Sequence, residues 1–348
     1  MESPPDVVLF GSSLLLHPLC LADASYLKRD LDYATHHRCA YMEDLLSRRL
    51  GIARLTCFNF ALPGGMISDA WIIARALLKA ERKPEVIVVC MTARDFMDNK
   101  VHCAGATPAF RYLRRFVDTE AVAPLAFPHP WQRAEHYLSK VCYLWEKRLD
   151  MQVLLSSLLT DWLAAATNGI ISQGQPYRLD LEDSRRANRP PEIEKGMYMA
   201  KADEYKPFQD NTREYRRRFR SSNKKLFAIE TEFFRQLLSY ARQEQMAVIL
   251  VNMPLTRLNL KLMPAGVYRD YLHTVSELAG EFSLPFIDLN DEELFPSFYF
   301  YDTCHMNAEG GKQLIGKIVD SMAADVAISA AVRQRSSSGK LAGQPGQI

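Results

Sequence analysis

Val7-Val8-Leu9-Phe10-Gly11-Ser12-Ser13 decides how this chain is read. Four consecutive apolar residues have the character of a fully buried strand, and the polar Gly-Ser-Ser behind them is a turn at its carboxyl end. Similar apolar runs recur at 55–60, 86–91, 247–252 and 285–289. Helical patterns lie between most of them, at 34–50, 67–80, 227–245, 268–282 and 308–323. Strands alternating with helices predict a parallel sheet covered on both faces, with right-handed crossovers. The expected fold class is therefore α/β, a flavodoxin-like three-layer sandwich around a five-stranded parallel sheet.

One segment breaks this rhythm. From about 98 to 223 no strand is evident, and the stretch is too long for a structureless loop. It is expected to be a helical insertion, with 131–163 the best helical candidate and 173–191 irregular. The expectation is one α/β domain over 1–325 and a disordered tail over about 326–348, which is polar and rich in Gly, Ser and Pro from Gln334 onward.

The bulk composition narrows the function classes. At 348 residues with 48% hydrophobic residues and a net charge of +2, the chain can bury a large core and shows no global charge suited to nucleic acid. The seven cysteines are scattered without CxxC pairs, as reduced and mostly buried thiols would be. No secretory signal precedes the first strand, and the apolar stretch 151–171 is broken by Asp161 and Asn168, so it reads as a buried or lid helix rather than a membrane span. A cytoplasmic location is the default expectation.

In an open α/β sheet, ligands sit beyond the carboxyl ends of the strands. The polar clusters of this sequence fall there: Ser12 and Ser13 after the first strand, Asn59 with Gly64 and Gly65 after the second, Thr92, Arg94, Asp95 and Asp98 after the third, Asn252 after the fourth, and Asp288 with Asp302-Thr303-Cys304-His305 after the fifth. A serine on a strand-end turn, with an Asp and a His three apart on another loop, supplies what acyl transfer needs. Serine is a weak nucleophile until a histidine takes its proton, and the histidine needs a carboxylate to fix its tautomer. Such chemistry needs neither cofactor nor metal. Asn307 is expected to cap the helix that follows.

Taken together, these blocks resemble the SGNH (GDSL-like) hydrolases, over about 1–98 and 225–325. Gly11-Ser12-Ser13 is similar to the family's first block, which implies Ser13 as nucleophile. The Ser in place of the usual Asp is also met in relatives acting on acyl groups of bacterial envelopes and exopolysaccharides. Asn59 to Gly65 is similar to the second block, with Gly64 the better match for the oxyanion-hole glycine. Asp302-x-x-His305 fits the last block. The third block departs from the family pattern: Thr92-Ala93-Arg94-Asp95 stands where Gly-x-Asn-Asp is usual. Arg94 could donate to an oxyanion, or it could pair with Asp95 or Asp98 and hold the loop.

The resemblance implies an esterase or an O-acyltransferase with an acyl-Ser13 intermediate, acting on an acylated carbohydrate or envelope polymer. The competing reading is a non-catalytic binding or scaffold protein of the same fold. The run from Arg213 to Lys225 holds seven basic side chains around Tyr215 and Phe219. It reads as a solvated helix face packing through its two aromatics, with peripheral contact to a membrane or an anionic polymer as the alternative. Trp131, Tyr137, Tyr143 and Trp145 are candidates for an acyl or sugar groove or for the insertion's own core. His36, His37 and Cys39 lie in a helix pattern without a second ligand pair, and are not read as a zinc site.

Overall fold

The structure is a computed structural model of the chain and describes residues 4–148, 151, 155, 199–203 and 206–341. Each apolar run becomes a strand: β1 (Val7–Phe10), β2 (Cys57–Asn59), β3 (Val86–Met91), β4 (Ala247–Asn252) and β5 (Phe286–Asp288). They form one five-stranded, all-parallel sheet in the order β2-β1-β3-β4-β5. The fold class is the α/β sandwich expected. β1 pairs residue for residue with β3, from Val7 opposite Val86 to Phe10 opposite Val89. All four β1 residues and all six of β3 are buried, as unbroken apolar strands in a doubly covered sheet must be.

The chain leaves β1 toward β2 and then reverses direction to reach β3, β4 and β5. Right-handed crossovers place helices of opposite directions on opposite faces. The helices accordingly pack in two groups. One holds α1 (Ser13–Leu27), α2 (Ala40–Leu50) and α6 (Ala308–Ala324). The other holds α3 (Ile67–Leu77), α4 (Lys224–Gln243) and α5 (Val267–Phe282). The reversal puts a topological switch point between β1 and β3, where ligands bind in such sheets.

Several elements differ from the sequence expectation. α1 carries no amphipathic signal: Leu14, Leu15, Leu16, Leu19, Cys20, Leu21 and Ala22 are buried around its circumference, and Pro18 lies inside it. α2 starts at Ala40, not near 34. Asp32 accepts the Ala34 N–H at 2.7 Å in a turn, and the Asp23 carboxylate caps the helix by accepting the N–H groups of Ala40 and Tyr41, each at 2.8 Å. Of the tail expected to be disordered, Val326–Leu341 is a helix, α7, and 342–348 lie outside the described residues. Ile328 and Val332 are buried where this helix meets the sheet, which gives its first turns an apolar anchor.

The chain divides into two compact units, Met1–Asp118 with Tyr198–Ile348, and Thr119–Met197. Only part of the expected insertion is thus separate. Met199–Ala200 pairs antiparallel with Leu31–Asp32 in the larger unit, and Thr212–Arg218 forms a helix there. The smaller unit contains Pro130–Val141, opened by a proline in the first turn, and Tyr143–Glu146. In it His136 is buried against Phe127, while Trp131, Tyr137 and Tyr143 are exposed. The end of 131–163, most of 151–171 and all of 173–191 lie outside the described residues.

α1 and α6 approach each other without room for a side chain. A Cβ on Gly310 would lie 2.5 Å from the Tyr299 carbonyl oxygen, and one on Gly311 would fall inside the Pro18 carbonyl. Further along the same helix, a Cβ on Gly316 would meet nothing within 4 Å. Gly311→Ala should therefore destabilise the protein by about 1–3 kcal/mol through overpacking. Gly316→Ala should be neutral or stabilising by about 0.5–1 kcal/mol, from the lower entropy of its unfolded chain. Urea unfolding of the two variants checks the contrast, and equal midpoints would refute the contact.

Candidate active site

Ser13 is the first residue of α1, and its placement follows from the turn before it. Ser12 is extended at φ −102° and ψ −165°, and its carbonyl accepts the N–H groups of Leu15 and Leu16, both at 3.0 Å. The buried Ser12 hydroxyl helps to hold the charge of the Asp95 carboxylate. Ser13 is thus fixed at the amino end of a 15-residue helix, where the unsatisfied N–H groups and the helix dipole favour negative charge.

The 302–305 loop is a self-contained hydrogen-bonded turn. Asp302 Oδ1 accepts the backbone N–H groups of Cys304 (2.8 Å) and His305 (2.7 Å), which leaves Oδ2 for His305 Nδ1 at 2.6 Å. His305 Nε2 lies 2.9 Å from Ser13 Oγ, across 292 positions of sequence. Ser13, His305 and Asp302 are brought together in a continuous chain of hydrogen bonds.

The loop is also gripped from behind by residues that the sequence pattern did not single out. Asn211 Oδ1 accepts from the Thr303 hydroxyl (2.5 Å) and N–H (3.2 Å), and Asn259 Nδ2 donates to Thr303 Oγ1 (2.9 Å). Thr256 donates its hydroxyl to the Thr303 carbonyl at 2.6 Å. Asn307 caps α6 by accepting the Gly310 N–H at 3.0 Å. Thr256 caps a short helix in the same way, which is the one local signal that it carries. Asn211 lies in the stretch that the sequence reading left to the insertion.

Gly64 and Gly65 form the turn after β2. Gly64 has φ +71°, a conformation open to glycine and strained for other residues. Asn59 is buried and its Oδ1 accepts the Ala61 N–H at 2.7 Å, so it shapes this turn from within. Among the described residues, the N–H groups of Ser13 and Gly64 have no protein acceptor.

Arg94 takes the second of its two readings. Its Nη2 donates to the Gly65 carbonyl (2.8 Å) and to Asp95 Oδ1 (2.5 Å), and its Nη1 to Asp98 Oδ2 (3.3 Å). The side chain is 3% exposed. Three of its five N–H groups are so engaged, and the guanidinium braces the glycine turn. Asp95 completes the brace by accepting the Thr92 N–H at 2.9 Å. Burial pushes the Asp95 carboxyl up, against the pull of Arg94 and these hydrogen bonds.

Electrostatics follow from the contacts. Burial pushes the Asp302 carboxyl up, yet the His305 side chain and two backbone N–H groups outweigh it and hold Asp302 below its ordinary value. Burial opposes charge on His305, while Cys304 and Asp302 favour it, and the net direction is up. Burial also pushes the Cys304 thiol up, so it stays neutral near pH 7 and the persisting upward push on His305 is that of Asp302.

Other candidates stand apart from this centre. Asp288 accepts from Asn252 Nδ2 at 2.6 Å and ties the ends of β4 and β5. His36 Nε2 bonds to Asp23 at 2.8 Å, and His37 Nδ1 lies 3.1 Å from the Asn59 carbonyl. In the basic run, Tyr215 and Phe219 are buried with ring centroids 5.7 Å apart, and Arg218 pairs with Asp98 and Glu214. Arg213, Arg216, Arg217, Arg220, Lys224 and Lys225 are exposed. Among the described residues no helix is long and apolar enough to cross a membrane.

A protein-family model matches residues 210–326, which carry β4, β5, Asp302 and His305. No curated protein matches the sequence. Among solved structures, the chain is similar to a protein described as a GDSL-like lipase from Parabacteroides merdae, at 9% identity and a TM-score of 0.40, over 94% of this chain and 97% of that one. It is similar to a catalytic mutant of an acetylxylan esterase from Geobacillus stearothermophilus, at 11% identity and a TM-score of 0.37, over 91% and 94% of the two chains. A protein described as an acylhydrolase from Bacteroides fragilis shares 9% identity at a TM-score of 0.35, over 92% and 91%.

The Arg94 brace is directly testable. Arg94→Met leaves the buried Asp95 carboxylate without its cationic partner, while Asp98 keeps Arg218, and breaking such a buried pair costs about 3–5 kcal/mol. A urea midpoint unchanged from wild type would show that the brace is dispensable.

Proposed function

We propose that this protein is a serine-dependent O-acyl ester hydrolase in which Ser13 is the nucleophile, His305 the general base and Asp302 its orienting carboxylate. The observation that carries this reading is the hydrogen-bonded chain from Asp302 Oδ2 through both nitrogens of His305 to Ser13 Oγ, at 2.6 and 2.9 Å. Asp302 accepting at Nδ1 leaves Nε2 unprotonated toward Ser13, the tautomer that a base requires.

In the proposed reaction Ser13 Oγ attacks the ester carbonyl as its proton passes to His305 Nε2. The developing oxyanion is placed against the N–H groups of Ser13 and Gly64, at the positive end of α1. The intermediate collapses as His305 returns the proton to the departing alcohol, leaving acyl-Ser13. Water, deprotonated by His305, then releases the acid and free Ser13. A sugar hydroxyl in place of water would give the acyltransferase outcome. The acylated carbohydrate substrate rests on the sequence resemblance in the first block. With Arg94 engaged in the brace, no third-block side chain supplies an oxyanion donor, and loss of one donor typically costs about 10²–10³ in rate. The scaffold reading draws its support from that deficit.

Hydrolysis of p-nitrophenyl acetate and butyrate tests the assignment. Ser13→Ala and His305→Ala should each lose about 10³-fold or more in kcat. A serine-directed phosphonate should label Ser13 in the wild type; a folded protein inert to both reagents would favour the scaffold reading. The pH profile gives a second check. His305 must be neutral to act, and its pKa is raised, so kcat/KM should climb with pH through a midpoint above 6.5. Asp302→Asn removes the charge that raises it, so the midpoint should move down while the plateau falls. An unmoved midpoint would exclude Asp302 as the partner.

A further inference from the structure

Ser13 and His17 lie one turn apart on α1, so both side chains project from the same face of the helix. Ser13 meets the Nε2 edge of His305. His17 meets its flat side: the two imidazole rings are stacked, 4.7 Å between centroids and 26° from parallel. The His17 ring is held in place in turn. Its Nδ1 is hydrogen-bonded to the Tyr301 hydroxyl, and its other side packs on Tyr33 at 4.8 Å. Tyr301 immediately precedes Asp302, its ring is nearly parallel to that of His305 (5.9 Å, 14°), and its N–H donates to the His305 carbonyl at 3.0 Å. The 302–305 loop therefore reaches back to α1 twice, once at Ser13 and once at His17.

We propose that His17 is a positioning residue for the reaction, whose ring, tethered by Tyr301 and laid on the face of His305, holds the His305 imidazole edge-on to Ser13. This rests on the reading of Ser13 and His305 as nucleophile and base. Asp302 fixes the imidazole at one nitrogen only, and rotation about that hydrogen bond would swing Nε2 away from Ser13. A flat ring against its face blocks that swing. An aliphatic side chain would fill the space without enforcing parallel planes. Burial, with the charges of His305 and Lys206 nearby, pushes His17 down to about 3, so it remains neutral and presents no like charge when His305 takes up the serine proton. A neutral π-face also suits an imidazolium better than a cation would.

The test compares three substitutions at His17 by ester turnover and by NMR of the His305 Nδ1 proton. His17→Ala removes the stack and should lower kcat by about 10- to 100-fold with KM little changed, as misplacement of a reacting group does. His17→Phe keeps the flat ring and should recover kcat to within a few-fold of wild type. His17→Gln keeps a partner for Tyr301 but no ring, and should resemble Ala. The downfield Nδ1 resonance should be sharp in wild type and the Phe variant, and broadened by exchange in the Ala and Gln variants. A sharp resonance in His17→Ala, recovery by Gln but not Phe, or an effect confined to KM would each overturn the proposal. The resonance can be read in a Ser13→Ala background, so it judges His17 even if Ser13 proves unreactive. Failure of phosphonate labelling at Ser13 would count against the serine mechanism alone.

Discussion

The contact between α1 and α6 is the constraint on which the rest of this structure depends. Ser13 opens one helix and His305 stands just before the other, so the distance between Ser13 Oγ and His305 Nε2 is set by how closely the two helices pack. Glycines at 310 and 311 let the α6 backbone press on the Tyr299 and Pro18 carbonyls. A shift of one ångström between the helices would carry Nε2 out of hydrogen-bond range of Ser13 Oγ, since such bonds weaken beyond about 3.2 Å. Pro18 removes one N–H from α1 and leaves the Leu14 carbonyl without its helical donor, while the missing Cβ of Gly311 is what admits the Pro18 carbonyl.

Around that contact, the loops are fixed by buried polar groups. Arg94 gathers Asp95, Asp98 and the Gly65 carbonyl, and Asp98 is also held by Arg218. Asn211 and Asn259 hold Thr303. Each group satisfies another that would be costly to bury alone. Half of the scheme comes from the stretch that interrupts the strand-helix alternation, because Asn211 and Arg218 both follow the separate 119–197 unit. The return of the chain to the sheet after that unit thus closes the back of the 302–305 loop.

How much of this was legible in the sequence depended on whether the information was local. Strands of four to six apolar residues declare themselves, and their order along the chain with right-handed crossovers dictates two helix layers. Asp302 and His305 were legible because three residues of spacing suffice to close their turn. α1 was not: a helix buried on every side has no periodicity to read, and its one proline argues against helix. For the same reason His17 passed unnoticed, since its relation to Ser13 exists only once 13–27 is helical. Arg94 was left with two roles because one of its partners, the Gly65 carbonyl, comes from another strand's loop. The last helix was hidden by the composition of its far end, although Ile328 and Val332 already carried a helical spacing in their burial.

The division of labour in the site follows from these length scales. Asp302 orients His305 through contacts made within four residues, so that relation survives any movement of the loop as a body. The relation of His305 to Ser13 has no such local guarantee. It crosses from a helix to a loop, and a single hydrogen bond at 2.9 Å defines a distance but not the plane of the ring. A second point of contact between the same two elements is needed to define that plane, and the stacked pair of His17 and His305 is placed one turn along α1 from the first. Two contacts separated by a helical turn resist rotation as well as translation, which is the property that the proposed role of His305 toward Ser13 requires.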